Sequence, residues 1–285
     1  MSGTATGAPT FMAAPAPWTL NGKGWLIPLH TPFSTTPKPL PEGSYAPLEK
    51  GSTADQSERF HGGTGFVMIV RYSSGDVGPY DELIYIPGLF RRPGAAAGQS
   101  HAEYFPAVTR IYVSIDDSTI NGRKNWGIPK HRAVFNWSPT TEGSRGTLLE
   151  VSHPEQSSKP FFRCVLRDSP WMPFTLPVST SWLEHPLAKR LMQGYELTLY
   201  QSPVPRDPTD PAKVASDKTY LVKPSSSGRS RLATISPAPG TKDAPSAEDW
   251  FEFGDGEGFP RFKPWSQWTN FHLTFTMQFP IPLEV

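Results

Sequence analysis

Proline and glycine interrupt this chain too often for long helices. The 285 residues include 33 prolines and 24 glycines, and they are spread along the chain. Proline removes a backbone donor and glycine favours turns, so we expect short segments. The segments between these breaks are rich in β-branched and aromatic residues, which is typical of strands: 65–72, 82–88, 109–115, 132–137, 147–153, 160–167, 195–201 and 270–279. The sequence therefore predicts a mainly β fold (β-rich α+β), built of antiparallel meanders or a closed barrel.

Helices are predicted at two places, 117–126 and 180–193. Asp117 or Ser118 is expected to cap the first helix, and Gly194 to end the second. We expect residues 1–17 to form a flexible arm and 18–285 a single domain. Residues 203–247 are rich in Pro, Ser, Asp and Lys, and they predict a partly ordered excursion or lid that contains two strand-like pieces.

Charge and cysteine content narrow the possible partners. Lys and Arg number 27 against 26 Asp and Glu, so no overall field attracts nucleic acid or an anionic membrane. The single cysteine, Cys164, excludes a disulfide within the chain and is expected to be a buried apolar residue. No apolar run approaches the roughly 20 residues of a membrane span, and no secretory signal is recognisable. We expect a soluble cytoplasmic protein whose partner is a small molecule or a second copy of itself.

Common catalytic and metal-binding motifs are missing from the sequence. The glycines of "HGGTGF" (61–66) lead into a strand without a following GK[ST], so a turn is favoured over a phosphate site. The seven histidines have no spacing typical of a metal site, and no GxSxG motif occurs. We predict neither a metal nor a cofactor.

Lys130 is the unusual residue of "NGRKNWGIPKHRAVFNW" (121–137), because it follows Pro129 at the start of an apolar strand. If 130–137 is a regular strand, Lys130 and His131 point to opposite faces. A lysine on the inner face of a barrel would be desolvated, which favours the free amine and makes it a nucleophile for a carbonyl carbon. The alternative is a lysine at a strand end whose ammonium reaches water.

The segment around Lys130 resembles the active-site signature of the acetoacetate decarboxylase-like superfamily. In that signature a Gly-Arg pair precedes Pro-Lys-Lys, and here Gly122-Arg123 precede Pro129-Lys130-His131 at the same spacing. Upstream, "FVMIVRYSSGDVGPYDE" (66–82) matches the spacing of two family glutamates. The second glutamate corresponds to Glu82, and Val67 stands where the family has the first. The match covers about residues 60–137.

The resemblance implies a closed or nearly closed antiparallel barrel with a few short peripheral helices. It also implies that Lys130 forms a Schiff base and that Glu82 acts as general acid or base. Five further residues are substrate-binding candidates: Lys23, Val67, Trp126, His131 and Arg123. His131 replaces the family's second lysine, and Val67 is expected to leave a more apolar pocket.

Two of these candidates have structural alternatives. Trp126 either walls the pocket or is plain core. Arg123 forms either a structural ion pair or a contact with a substrate carboxylate.

Three functions follow from this sequence. The first is decarboxylation of a β-keto acid that is larger and more apolar than acetoacetate, through a lysine imine. The second is aldol, dehydration or cyclisation chemistry on a polyketide-like secondary metabolite. The third is a non-catalytic barrel that binds an apolar ligand. The strand at 270–279 is expected to offer an edge for homo-oligomer formation.

Overall fold

The computed structural model describes residues 10–94, 103–140, 146–172, 174–186, 197–238, 253–266 and 270–285. Strands dominate these ranges: β1 (Trp18–Thr31), β2 (Phe60–Ser74), β3 (Tyr80–Ile86), β4 (Leu89–Arg91), β5 (Tyr104–Pro106), β6 (Arg110–Val113), β7 (Lys130–Arg132), β8 (Val134–Pro139), β9 (Thr147–Ser152), β10 (Pro160–Asp168), β11 (Leu176–Ser179), β12 (Leu199–Gln201), β13 (Tyr220–Val222), β14 (Ser225–Ser236), β15 (Asn270–Phe279) and β16 (Leu283–Glu284). The helices are α1 (Asp116–Trp126) and three 3-10 turns, Ser57–Arg59, Pro154–Gln156 and Thr180–Glu184.

The main sheet curls into a nearly closed barrel. Its strands follow the order β7-β6-β3-β2-β1-β15-β14-β10-β9-β8. The two strands at the ends of this order, β7 and β8, are separated only by Ala133, so the chain itself joins the two edges. The predicted β-rich barrel is confirmed, although the expected single strand 132–137 breaks at Ala133.

One strand pair departs from the antiparallel arrangement that the sequence predicts. Strands β6 and β7 pair in parallel, with Ile111 beside Lys130. A parallel pair requires a crossover connection, and α1 provides it between the two strands. The sheet is therefore mixed. As the crossover connection, α1 lies on one face of the sheet.

The two faces of the sheet form separate cores, because side chains alternate along each strand. Residues such as Ile69, Leu83 and Cys164 point into the barrel and are fully buried. Residues such as Val70 and Ile111 point outward into a second apolar cluster. This outer cluster includes Trp126 at the end of α1, and the candidate site lies within it.

One long strand, β1, was not predicted, and a second, β14, was predicted only over 231–236. β1 carries Gly22 and Gly24, which disfavour strands in isolation. Here they permit close pairing, because a Cβ at Gly24 would lie 2.7 Å from the Ile69 carbonyl oxygen. β14 lies inside the expected excursion at 203–247, yet it pairs with both β10 and β15 and is part of the barrel.

The strand at 270–279, β15, is not a free edge. It pairs with β1 on one side and with β14 on the other. The expectation that this strand offers an edge for a second copy is therefore wrong, because β1 and β14 already use its backbone hydrogen bonds.

The predicted helix at 117–126 is confirmed as α1, but its N-cap differs from the prediction. Ile115 is the N-cap and makes no side-chain capping bond. The carboxylate of Asp117 instead accepts a hydrogen bond from the Met12 amide at 2.8 Å. The helix ends at Gly127, whose φ of 62° suits glycine.

The N-terminal arm is bound to α1 over the residues that the structure describes. Asn121 accepts a hydrogen bond from the Ala14 amide at 2.9 Å and donates one to the Met12 carbonyl at 2.7 Å. Met12 and Ala14 therefore contact α1 directly, and the flexibility of the arm stays a prediction. Residues 1–9 lie outside the described residues.

The second predicted helix is described only in part. Within 180–193, Thr180–Glu184 form a 3-10 turn, and residues 187–196, including Gly194, lie outside the described ranges. No helix in the described ranges has the length and apolar character that crossing a membrane requires.

Candidate active site

Lys130 is a buried lysine whose ammonium group meets two other buried polar groups. Its Nζ lies 2.8 Å from Oε2 of Glu82 and 3.0 Å from Oγ of Ser118. Only 4% of Lys130, 4% of Glu82 and none of Ser118 is exposed to solvent. Three elements, β7, β3 and α1, thus converge on one ion pair.

Strand register explains why Lys130 and Glu82 meet. Lys130 lies beside Ile111, and Ile111 lies beside Ile84. Glu82 is two residues from Ile84, so it points to the same face. Lys130 therefore faces the outer cluster beneath α1, not the inside of the barrel, and the crossover helix provides the burial that the sequence predicted.

Gly122 makes room for the lysine side chain. A Cβ at this position would lie 2.5 Å from Cδ and 2.7 Å from Cε of Lys130. Real Cβ atoms do not approach other atoms this closely, so any other residue would displace the lysine. This contact explains why the first residue of the Gly-Arg pair is a glycine.

Two tyrosines that the sequence analysis did not select complete the polar cluster. The Tyr72 hydroxyl donates to Oε1 of Glu82 at 3.3 Å, and Nζ of Lys130 lies 5.3 Å from the centre of the Tyr80 ring. Burial, together with the nearby Glu82 carboxylate, raises the pKa of both phenols well above the usual range. Both therefore stay neutral donors. Strand alternation could have found Tyr80, because it lies two residues before Glu82.

Lys130 and Glu82 line a cavity of about 490 Å³, a size typical of sites for drug-sized ligands. Most of the lining is aliphatic or aromatic. In the described part of the wall, Lys130 is the single cation and Glu82 the single carboxylate. The apolar wall includes Trp18, Leu20, Phe66, Met68, Ile84, Ile86, Val108, Ile111, Trp126, Ile128, Leu273, Phe275, Met277 and Phe279.

Trp126 is part of this wall, which was one of its two predicted roles. The residue is 1% exposed, and its ring packs edge-on against Trp18 at 5.0 Å and Phe279 at 5.2 Å between centroids. Its indole N–H donates to the Pro280 carbonyl at 2.8 Å. The polar atom is thus satisfied, and the apolar ring surface remains for the cavity.

Val67 and Lys23 are absent from the described cavity lining, so the structure does not bring them together with Lys130 and Glu82. Val67 pairs with Tyr85 and points into the barrel, whereas its neighbours Phe66 and Met68 line the cavity. The missing carboxylate at Val67 therefore does not account for the apolar cavity. Lys23 is exposed on β1.

His131 and Arg123 lie in a separate cluster around Glu49. Nε2 of His131 lies 2.7 Å from Oε2 of Glu49, and Nη1 of Arg123 lies 2.9 Å from Oε1. Arg123 also donates to the Lys130 carbonyl at 3.3 Å. The predicted divergence of Lys130 and His131 is confirmed. His131 contacts Glu49 and is absent from the described cavity lining, and its binding of substrate stays a prediction. Arg123 forms the structural ion pair.

The charges in this second cluster support one another. Burial lowers the pKa of His131, although the Glu49 carboxylate opposes this effect. Burial by itself raises the pKa of Glu49. The His131 hydrogen bond and the charges of His131 and Arg123 outweigh it, so the pKa of Glu49 is lowered. At neutral pH the cluster is therefore an ionised Glu49–Arg123 pair joined to His131.

No metal site accompanies either cluster in the part of the chain that the structure describes. No group of three or more His, Cys, Asp or Glu side chains is arranged to hold a metal ion there. Burial raises the pKa of Cys164 far above the usual range, so its thiol stays protonated in the barrel interior.

Comparisons with known proteins find similarity at the level of structure alone. No protein-family model and no curated protein sequence matches the chain. The solved structure of the enduracididine biosynthesis enzyme MppR with HEPES bound has a TM-score of 0.50 and 11% identity, over 96% of this chain and 89% of that one.

Two other similar structures are acetoacetate decarboxylase or a protein described as like it. Acetoacetate decarboxylase from Legionella pneumophila has a TM-score of 0.47 and 11% identity, over 99% of this chain and 92% of that one. An acetoacetate decarboxylase-like enzyme from Sphingomonas wittichii has a TM-score of 0.46 and 10% identity, over 99% and 97%. The chain has the same fold as MppR.

Proposed function

We propose that this protein is a lyase that forms an imine between Lys130 and an apolar carbonyl compound. The observation that carries the proposal is the buried contact of Nζ with Glu82 and Ser118 at the wall of the apolar cavity. A buried amine beside a group that can exchange its proton has the arrangement that covalent catalysis through lysine requires. In this proposal Lys130, Glu82 and Ser118 provide the groups for this chemistry.

Glu82 has the position needed to move the proton between steps. Its carboxylate accepts a proton from the Lys130 ammonium, and the free amine attacks the carbonyl carbon of the substrate. Glu82 returns that proton to the carbinolamine oxygen, which leaves as water and yields the iminium. Proton exchange over 2.8 Å is within hydrogen-bond reach. Ser118 accepts a hydrogen bond from the same nitrogen and keeps it directed at the cavity.

The first candidate reaction is decarboxylation of a β-keto acid. The iminium nitrogen accepts the electron pair of the breaking C–C bond, and carbon dioxide leaves. The resulting enamine takes a proton at carbon, and water then releases the ketone and restores Lys130. Every step uses the lysine, water and a proton donor, so the reaction needs no cofactor.

The second candidate is aldol, dehydration or cyclisation chemistry through the same iminium, and the charge of the cavity favours it. In the described lining, the single positive charge is on Lys130, as its ammonium or its iminium, and it is already paired with Glu82. A substrate carboxylate would therefore lie in an apolar cavity without a second cation, which is costly. A neutral carbonyl substrate avoids this cost.

Borohydride trapping tests the proposal. The protein is treated with borohydride and a panel of β-keto acids and simple ketones, and its intact mass is measured. We expect an adduct in the wild type and in Lys23→Ala, which removes an exposed lysine from β1, and no adduct in Lys130→Ala. Release of carbon dioxide then separates decarboxylation from the second candidate.

Two results contradict the proposal. An adduct that persists in Lys130→Ala would place the imine at another lysine. The absence of any adduct from the folded wild type would instead favour a barrel that binds an apolar ligand without catalysis.

A further inference from the structure

Trp182 is an exposed aromatic residue on the rim of the same cavity. It lies in the 3-10 turn Thr180–Glu184 and lines the cavity, yet 54% of its surface is exposed. Covering a large exposed aromatic side chain with an apolar group of a ligand stabilises the complex. Lys130 in the same cavity is only 4% exposed, so the cavity has a buried reactive end and an open aromatic rim.

The segment that carries Trp182 is fixed to the barrel. Strand β11 pairs with β14, with Val178 beside Gly228. The Thr180 hydroxyl accepts a hydrogen bond from the Ser226 amide at 2.9 Å and donates to the Ser226 carbonyl at 3.3 Å. Trp182 therefore extends from an anchored turn and provides a preformed surface for a ligand.

Among the described residues that line the cavity around the rim, none carries a charge. Val178, Ser179, Thr180 and Ser226 contribute apolar or hydroxyl groups, and the charged pair lies at the buried end. A ligand that places its carbonyl at Lys130 must therefore extend an uncharged part toward Trp182.

We propose that Trp182 binds the distal end of the substrate, and that the substrate is a carbonyl compound with a long uncharged aliphatic or aromatic tail. This inference rests on the proposed function, because the imine at Lys130 fixes the carbonyl end. It makes Trp182 the residue that selects for tail length. Contact between the Trp182 ring and an aromatic tail would stabilise the complex by more than the burial of apolar area alone.

The experiment uses a series of methyl ketones with straight tails of increasing length, together with the matching secondary alcohols. The alcohols cannot form an imine, so calorimetry on them measures cavity binding alone, whereas borohydride trapping of the ketones measures the chemistry. Trp182→Ala is compared with the wild type and with Trp171→Ala. Trp171 is 84% exposed in the preceding loop and does not line the cavity.

We expect wild-type affinity for the alcohols to rise about fourfold per methylene group until the tail reaches the rim. Trp182→Ala should weaken binding of the longest alcohols about tenfold and leave the shortest unchanged, and Trp171→Ala should behave as wild type. Equal binding by Trp182→Ala and wild type at every length, or an equal loss at every length, would overturn the inference. A rim effect on alcohols without any ketone adduct would instead refute imine chemistry and leave the tail contact standing.

Discussion

The ion pair between Lys130 and Glu82 is the central feature of the candidate site. Lys130 and Glu82 are both buried, and Nζ lies 2.8 Å from the Glu82 carboxylate. This arrangement differs from an isolated lysine in an apolar pocket, because a carboxylate lies within hydrogen-bond reach of the amine. We therefore propose that the carboxylate takes part in imine formation.

Glu82→Gln tests this role at the residue scale. The amide keeps the shape of the side chain but accepts no proton, so we expect imine formation to slow by about 10² to 10⁴. Single-turnover borohydride trapping with a ketone substrate measures the rate. Calorimetry with the matching alcohol serves as the control and should change little, and an unchanged trapping rate would assign the proton transfer to another group.

Ser118→Ala tests the second partner of the ammonium. The hydroxyl is fully buried and lies 3.0 Å from Nζ, so its loss leaves one lysine donor without an acceptor. An unsatisfied buried donor costs about 1–3 kcal/mol. We expect slower trapping and a lower melting temperature, whereas Ser118→Thr, which keeps the hydroxyl, should restore part of the rate. Identical trapping rates for alanine and wild type would remove Ser118 from the site.

At the scale of elements, α1 both covers the cavity and positions the lysine. The helix is the crossover between β6 and β7, and its Gly122 touches the stem of Lys130. A helix normally prefers alanine to glycine by about 1 kcal/mol. The glycine in α1 is therefore explained by the lysine and not by the helix itself.

Gly122→Ala separates these two effects. The methyl group would lie within 2.7 Å of the Lys130 side chain, so we expect the lysine to shift and trapping to fall at least tenfold. Lys124→Ala, at an exposed position of the same helix, is the control for helix propensity and should leave trapping unchanged. A Gly122→Ala protein that traps ketones at the wild-type rate would contradict the contact.

At the scale of the whole molecule, Glu49 joins distant parts of the chain. Its carboxylate binds Arg123 on α1 and His131 on β7, and all three residues are buried. Both Glu49 and His131 have lowered pKa values in the fold. Such groups contribute stability that is present above their ordinary pKa values, 6.5 for His131 and 4.5 for Glu49, and is lost as the pH falls through the lowered values.

Glu49→Gln tests the contribution of this cluster to the stability of the fold. Removing one partner of a buried ion pair costs about 3–5 kcal/mol in the free energy of unfolding at neutral pH. Urea unfolding below pH 4.5 should show a loss of stability in the wild type that comes from protonation of Glu49 and that the variant lacks. Glu150→Gln, which breaks a partly exposed pair with Arg163, is the matched control and should cost at most about 1 kcal/mol. Parallel pH curves for the wild type and Glu49→Gln would contradict the assignment.

Local features of the chain were readable from sequence. Strand alternation correctly separated Lys130 from His131, and the spacing of turn residues located α1 and most strands. β1 and the first half of β14 were missed because their glycine, proline and serine content is typical of loops. Their stability comes from neighbours on both sides.

The composition and the alternation of side chains thus determined a β-rich chain with one unusual lysine, because these properties depend on neighbours along the sequence. The tertiary structure alone decided which face of the sheet became the cavity. It placed Lys130 beneath α1 rather than inside the barrel, brought Tyr72 to Glu82, and turned Val67, His131 and Arg123 away from the site. These contacts join residues far apart in the chain, and their register depends on how the whole sheet closes.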